Sequence, residues 1–427
     1  MRIPVVTLIV VMLLSVFVDL YIWRDIRKGK SLRRWMWSEI YAGTSILLWI
    51  FLIVTVCLPR RSADNGIIHI MWMLTAYASI YIAKIIYIFF SFIGRIPTIF
   101  RCRRWLWTRA VGVVTAVAAL GFLWFGILYT RYQSQTIDVT LKSSRLPKAF
   151  DGYRIAQISD LHLGTWGNDT RFIDSLVRQI NALNPDLIVF TGDIVNQKSD
   201  ELKPFITSLS RLKAKDGVYS ILGNHDYGDY IDWSSPDLKK ENLETLKVLQ
   251  EKSGWKMLNN RHVFISRHSI AHSDSIALIG VENWGEPPFK KYGSLKTACS
   301  TPDSLSLKDS NFKILLTHNP EHWLREVRKV SNIDLTLSGH THALQMSADA
   351  FGHRWSPSAL RYTTWGGFYT STPDGNLEDF GNPSVRSMTR NLDRPSLYVN
   401  IGAGEVGMPF RIGSCYPEIT LITLKRK

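Results

Sequence analysis

Cysteine is scarce in this 427-residue chain, with four in all, which rules out a disulfide-dense scaffold. Acidic residues are scarce over the first third: residues 1–135 hold 4 Asp+Glu against 16 Lys+Arg, and only one of the 11 histidines. Residues 136–427 lack the opposite imbalance, with 32 Asp+Glu against 35 Lys+Arg, so the formal charge of +15 belongs mainly to the front. A nucleic-acid binder needs its basic patch on the polar domain, and that domain is nearly neutral, so nucleic-acid binding is not expected. No internal repeat and no long low-complexity tract occurs, and 46% hydrophobic content excludes a disordered chain. What remains is a basic, apolar front and a polar back that carries ten histidines and therefore any metal-ligand chemistry.

Long apolar runs fill the front. Residues 3–23 contain one acid, Asp19; residues 40–59 and 110–130 contain no charge; residues 66–94 are interrupted only by His69 and Lys84. A bilayer-spanning helix needs about 20 such residues, so four transmembrane helices are predicted over these ranges, within a membrane domain at 1–135. The first is read as a retained anchor: only Arg2 precedes it, and Trp23-Arg24 stands where a signal peptide would carry small residues for cleavage. Trp23, Trp35, Trp37, Trp105, Trp107 and Tyr129 gather at the segment ends, as interfacial aromatics do. Loop one carries Arg24, Arg27, Lys28, Lys30, Arg33 and Arg34 against Asp25; loop two only Arg60 and Arg61 against Asp64; loop three Arg95, Arg101, Arg103, Arg104 and Arg109 with no acid. Positive loops stay in the cytoplasm, which puts everything after residue 130 on the extracytoplasmic side of the cell membrane. Asp19 and Lys84 both fall in the cytoplasmic half and are expected to pair as a clasp between the first and third helices, since an unpaired charge inside a span is costly.

Residues 136–150 read as a linker into a polar domain at 151–427. From Tyr153 onward, short apolar runs alternate with polar loops. Strands are predicted at 154–158, 187–190, 218–222, 262–265, 276–281, 312–316, 333–337, 397–401 and 419–424. Residues 170–183 have helical apolar spacing at Phe172, Ile173, Leu176, Val177, Ile180 and Leu183, and 236–252 reads as a polar surface helix.

Five of these strands run straight into a loop bearing Asp, Asn or His: Asp160-Leu161-His162, Gly192-Asp193, Gly223-Asn224-His225-Asp226, Thr317-His318 and Gly339-His340-Thr341-His342. Open α/β sheets place their sites outside the carboxyl ends of strands. Loops so placed converge enough nitrogen and oxygen ligands for two cations. A set of Asp, Asn and His without Cys suits Mn, Fe or Zn better than Ca or Mg. A shared carboxylate can bridge two metals about 4 Å apart, the geometry of two-metal phosphate chemistry.

As a set, these five blocks resemble the signature of the calcineurin-like metallophosphoesterases, over about residues 150–425, and the chain is most similar to membrane-attached bacterial phosphohydrolases. The resemblance implies a four-layer α/β/β/α metallophosphoesterase sandwich, here preceded by four transmembrane helices. It implies one metal held by Asp160, His162, Asp193 and His342, and a second by Asp193, Asn224, His318 and His340, with Asp193 bridging. It also implies that His225 lies beside the substrate phosphate and protonates the leaving oxygen, with Asp226 orienting it. The sequence departs from the family at Asn196, where relatives often carry a second carboxylate, and at Ala343-Leu344, where they often carry Gly-Gly; the two side chains are expected to narrow the crevice beside His342.

Other patterns carry less. Gly402-Ala403-Gly404-Glu405-Val406-Gly407 mimics a dinucleotide fingerprint but runs into Met408-Pro409 instead of a helix, and reads as a glycine-rich turn near the site rim. His322, His353 and His268 read as ordinary surface groups. Cys57 falls in a span and Cys102 in an inner loop; only Cys299 and Cys415 share the outer compartment, and whether they pair is not decided by sequence. The expected activity is hydrolysis of phosphate monoesters or diesters by a metal-bridged hydroxide, on a lipid or cell-envelope phosphate, outside the membrane. The alternatives are a cytoplasm-facing pyrophosphatase or phosphodiesterase for lipid-linked sugar nucleotides or cyclic nucleotides, and a membrane sensor with a degenerate domain.

Overall fold

The computed structural model describes residues 5–28, 31–58, 66–268, 273–287, 290–300, 307–330, 332–350, 353–372, 374, 376–379 and 387–427. Arg60, Arg61 and Asp64 of loop two, Lys30 of loop one, the start of the first predicted span and the His268 side chain lie outside the described residues. Two compact units divide the chain near Tyr129.

The first unit contains four long apolar helices, Val5–Arg27, Leu32–Cys57, Gly66–Ile93 and Trp107–Leu128. Each is long and apolar enough to cross a membrane. Their lipid-type exterior is plain in exposed residues such as Leu13, Phe17, Leu47, Phe89, Val114 and Phe122. Asp19 and Lys84 pair as expected, Nζ to Oδ1 at 2.6 Å. The carboxylate also accepts from Tyr41 (2.6 Å), Tyr81 (2.7 Å) and Trp49 (2.9 Å), so every lone pair has a donor. A buried charge is tolerated only with such pairing, and the clasp ties the first, second and third helices together.

The second unit has two seven-stranded sheets. One contains Arg154–Ile158, Leu187–Phe190 and Val218–Ser220 as parallel neighbours. The other contains Phe312–Leu316 beside Leu335–Ser338, also parallel. Alternation along these strands sends side chains to two different cores. Ile155, Leu187, Val189, Ile314, Leu316 and Leu335 share one core with residues of both sheets. Ala156, Ile158, Ile188 and Phe190 pack instead with Phe172, Leu176 and Ile180 of the helix Arg171–Ala182, and Leu315 with Trp323 and Val327. Strands buried on both faces read as unbroken apolar runs, and the result is the four-layer α/β/β/α arrangement.

The linker reading of 136–150 is corrected by the structure. Gln135–Ser143 is a nine-residue strand, paired in parallel with Glu418–Arg426 on one side and Ser387–Asn391 on the other. Ile137, Val139 and Leu141 point into the core while polar residues alternate with them; the polar half of the pattern hid the strand. Cys299 and Cys415 are both free thiols.

Candidate metal centre

Three of the five loops that carry candidate ligands leave their strands through a tight turn. Asp160, His162, Asp193, His340 and His342 all have left-handed backbone, with φ of 53°, 42°, 59°, 78° and 51°. For residues with a Cβ this conformation is strained, yet it lets a side chain double back over the strand end. Close packing is possible because glycine precedes the ligand: a Cβ on Gly223 would overlap the Asp193 carboxylate, and one on Gly339 the Ser159 hydroxyl and Asp160 carboxylate.

The loops bring together two groups that can hold metal ions, Asp160 with His162 and His342, all buried, and Asp193 with His318 and the half-buried His340. In the first, His162 Nε2 and His342 Nε2 are 3.0 Å apart, and His342 Nε2 is 3.2 Å from Asp160 Oδ1. In the second, His318 Nε2 lies 3.2 Å from Asp193 Oδ2, 3.2 Å from His340 Nδ1 and 3.0 Å from Asn224 Oδ1. Asp193 Oδ2 is also 3.6 Å from His162 Nε2, so it stands between the groups. Two ligands each about 2.1 Å from one cation, at tetrahedral or octahedral angles, lie roughly 3.0–3.4 Å from each other. The observed spacings match that requirement, and the residues fit a pair of divalent ions.

Neighbouring groups hold the ligands in place, as ligating side chains require. The His318 Nδ1–H donates to the Thr191 carbonyl (2.8 Å), leaving Nε2 for the site. The backbone N–H of His225 donates to Asp193 Oδ1 (2.8 Å) and that of His340 to Asp160 Oδ2 (3.0 Å). The Asn224 amide donates to the Tyr230 hydroxyl (2.7 Å), which turns its oxygen toward His318. The Tyr362 hydroxyl sits 3.3 Å from His340 Nε2.

Charges are set by burial and by each other. Burial pushes the Asp160 and Asp193 carboxyls up, but the imidazoles of His342 and His318 more than offset this and hold both low. Burial presses His162 and His340 down, His340 to about 3 with the help of His318, so both stay neutral with a lone pair to offer. Burial lowers His318 too, but Asp193 and Asp160 win and raise it to about 9; a cation would take the place of that proton.

Two predicted details are corrected. Asp226 does not touch the His225 ring. Its carboxylate accepts from the backbone N–H groups of Gly223 (2.8 Å), Ile194 (2.9 Å), Asp193 (3.0 Å) and Val195 (3.2 Å), clamping two ligand loops together. The short helical turn His225–Tyr227 sends the two side chains apart, and the His225 Nδ1–H donates instead to the Asn196 carbonyl (2.7 Å). His322 is not a surface group either: it is fully buried, stacked on Trp284 at 5.2 Å, with Nδ1 2.9 Å from the Thr317 hydroxyl. His353 is exposed as expected.

Of the two departures from the family pattern, Asn196 lies beside Glu201, whose side chain accepts from the backbone N–H groups of Asn196 (2.5 Å), Gln197 (3.3 Å) and Lys198 (3.2 Å). Ala343 and Leu344 have φ of 51° and 46°, a conformation glycine takes without strain. Ala343 is buried away from the crevice beside Trp365, so it does not narrow it, whereas Leu344 is exposed. The glycine-rich turn lies against the site, Gly404 N–H donating to the Asp160 carbonyl (2.7 Å). The buried Arg411 binds the carbonyls of Ile401 (3.2 Å), Gly402 (2.9 Å) and Gly404 (2.5 Å) and so fixes that turn. Glu201, Tyr230, Tyr362 and Arg411 carried no sequence signal, since each reaches the site from outside the five blocks.

Facing parallel strands that end in two clusters of carboxylate and imidazole define a metal-dependent phosphoesterase. Residues 153–344 match the family described as "Calcineurin-like phosphoesterase", and residues 1–131 match "Probable Calcineurin-like phosphoesterase, transmembrane domain". The chain thus carries a calcineurin-like phosphoesterase domain behind a four-helix phosphoesterase transmembrane domain, and its relatives are membrane metallophosphoesterases. It is similar to "Uncharacterized metallophosphoesterase YkuE" of Bacillus subtilis (strain 168), 29% identical over 324 residues, covering 74% of this chain and 93% of that one. It is 27% identical over 322 residues to "Transmembrane protein with metallophosphoesterase domain" of Danio rerio, covering 74% of this chain and 62% of that protein's length. It is 28% identical over 275 residues to "UDP-2,3-diacylglucosamine pyrophosphatase LpxG" of Chlamydia muridarum (strain MoPn / Nigg), covering 56% of this chain and 78% of the other.

Proposed function

We propose that the chain hydrolyses phosphate mono- or diesters carried on lipid or cell-envelope substrates, outside the cytoplasm. Asp160, His162, Asp193 and His342 hold one divalent ion, and Asp193, Asn224, His318 and His340 the other. The observation that carries this is the place of Asp193 Oδ2, 3.2 Å from His318 and 3.6 Å from His162, between the two groups. Bound divalent ions supply Lewis acidity, activating water and neutralising the phosphoryl oxygens. The protein supplies the rest. Asn224 offers a neutral oxygen, which leaves room for an anionic substrate. The Asn196 carbonyl holds the His225 Nδ1–H, so Nε2 is the nitrogen that meets the substrate; it would give a proton to the leaving oxygen from the imidazolium form, which burial disfavours and the Asp193 carboxylate favours.

An amphiphilic substrate is supported by the rim. Leu344, Met346, Trp355 and Leu360 are exposed, Leu360 by 86%. They share one excursion that begins two residues past His342, where Ala348 pairs with Trp355 and the Ser356 hydroxyl donates to the Ala343 carbonyl (2.6 Å). Extracytoplasmic placement is supported by the arginines of loops one and three. A second reading, a cytoplasm-facing pyrophosphatase for a lipid-linked sugar nucleotide, is favoured by the likeness to a protein named as a UDP-2,3-diacylglucosamine pyrophosphatase. A C-terminal reporter active only in the cytoplasm separates the two.

The chemistry is tested on the full chain in detergent, supplied with Mn²⁺, with aryl phosphate mono- and diesters. Asp193→Asn is expected to lose metal and turnover together. His225→Ala is expected to keep its metal and lose about 10²–10⁴ in turnover. An Asp193→Asn protein that retained both ions would refute the assignment.

A further inference from the structure

In the membrane unit three guanidiniums converge on one carboxylate oxygen. Asp25 Oδ1 lies 2.6 Å from Arg109 Nη2, 2.9 Å from Arg104 Nη1 and 3.1 Å from Arg95 Nη2. The other oxygen faces the Tyr87 hydroxyl at 3.1 Å. Three cations meet one anion, and the other described acids of this unit are committed elsewhere. Asp19 is held by Lys84 at 2.6 Å, and Glu39 faces Arg27 at 3.6 Å; Asp64 is outside the described residues. Among the described residues no carboxylate balances the other two charges.

The excess is felt nearby. The Lys28 ammonium, exposed just past the first helix, is held below its ordinary value by Arg95 above all and by burial. Arg34 caps the Lys28 carbonyl, which adds a further cation to this end of the helices. The Nε atoms of Arg95, Arg104 and Arg109 are buried without a hydrogen-bond partner. The Arg95 and Arg109 side chains remain 32% and 30% exposed, so an anion can reach them from outside.

The setting selects the kind of anion. Arg95 and Arg109 bracket a segment whose Ile99, Phe100, Trp105, Leu106 and Trp107 are all exposed, with the two indoles stacked at 6.1 Å. Exposed aliphatic and indole groups beside a cationic cluster suit a molecule with a charged head and apolar tails. Guanidiniums bind phosphate oxygens in forked pairs, and basic pockets between membrane helices bind phospholipid headgroups.

We propose that Arg95, Arg104 and Arg109, gathered on Asp25, form a binding site for the phosphate of an anionic glycerophospholipid headgroup. The site is separate from the metal centre, and its argument does not depend on the reaction proposed above.

The test is native mass spectrometry of the full chain in neutral detergent with equimolar phosphatidylglycerol and phosphatidylcholine. The wild-type chain is expected to retain phosphatidylglycerol preferentially. Arg95→Gln and Arg109→Gln are each expected to lower that retention about five-fold while leaving phosphatidylcholine unchanged. Arg101→Gln, on the same loop but outside the cluster, is expected to change nothing. Equal retention of the two lipids by the wild type overturns the proposal. So does an Arg95→Gln protein that melts earlier yet keeps the lipid ratio, which would mark a purely structural ion cluster. Millimolar inorganic phosphate that strips the phosphatidylglycerol also overturns it, in favour of a site for a free oxyanion. If the variants fail to fold, the wild-type ratio and the phosphate competition decide alone.

Discussion

Replacing Asp226 by asparagine separates a clamp from a proton relay. The carboxylate is fully buried and accepts four backbone N–H groups, two per oxygen: Asp193 and Gly223 on Oδ2, Ile194 and Val195 on Oδ1. An amide keeps one oxygen and turns an NH2 toward the other two donors. Each buried donor left without an acceptor costs about 1–3 kcal/mol, so Asp226→Asn is expected to destabilise the domain by about 3 kcal/mol, or roughly 6–12 °C in melting temperature. Asp226→Ala removes all four acceptors and is expected to lie lower still. Burial drives the Asp226 carboxyl up to about 7, with Asp193 adding to it, against the N–H groups that favour the ionised form. The assay is tryptophan-monitored melting of the full chain in detergent, read beside the pH profile of aryl phosphate hydrolysis. A melting temperature within 2 °C of wild type, together with a displaced pH profile, would refute the clamp and restore Asp226 as the partner of His225.

Three further outcomes are expected. Lys84→Met strands the Asp19 carboxylate among Tyr41, Trp49 and Tyr81 and should destabilise the membrane unit by about 3 kcal/mol; unchanged melting and monodispersity in detergent would remove the clasp. Glu405 is buried 2.9 Å from Arg131, and burial raises its carboxyl to about 7 from an ordinary 4.5. A raised acid binds its proton more tightly in the folded state, so its contribution is present below about pH 4.5 and is lost as pH climbs through 7. The wild-type melting temperature should therefore fall relative to Glu405→Gln between pH 5 and 8, and parallel curves would contradict this. Gly339→Ala drives a methyl into Ser159 and the Asp160 carboxylate; metal analysis should show loss of at least half the bound metal, and full occupancy would count against that packing.

How much of this was legible in the sequence depends on distance along the chain. The seven candidate ligand positions stood out because each follows an apolar strand by a few residues, and a strand buried on both faces is an unmistakable run such as Leu187–Phe190. The strand Gln135–Ser143 was not, because half its positions are polar and its partner, Glu418–Arg426, lies at the other end of the chain. The Asp226 misreading has the same root. Adjacency to His225 suggested a pair, whereas the turn at His225–Tyr227 points the carboxylate at loop backbone from residues 193–195. His322 looked like a surface residue because only the three-dimensional fold stacks it on Trp284.

The left-handed backbone at five candidate ligands explains why the supporting residues matter as much as those side chains. Asp160, His162, Asp193, His340 and His342 each carry strain on the order of 1 kcal/mol, and glycine could relieve it only by giving up the ligand itself. The strain persists because other bonds over-determine the loops: four N–H groups on Asp226, Glu201 across the 196–198 backbone, and Arg411 on the carbonyls of the turn that touches Asp160. These bonds join protein groups to one another and use none of the imidazole nitrogens that face the candidate metal sites. A site whose supporting backbone is held by such bonds has less chain left to order when ions bind. Such holding also accounts for the buried carboxylates raised toward neutrality on the loops around the site. Asp226, Glu201 and Glu405 each reach about 7 through burial first; they stand where backbone must be held, and the domain accepts their desolvation as the condition for holding five ligands in a conformation that the free chain avoids.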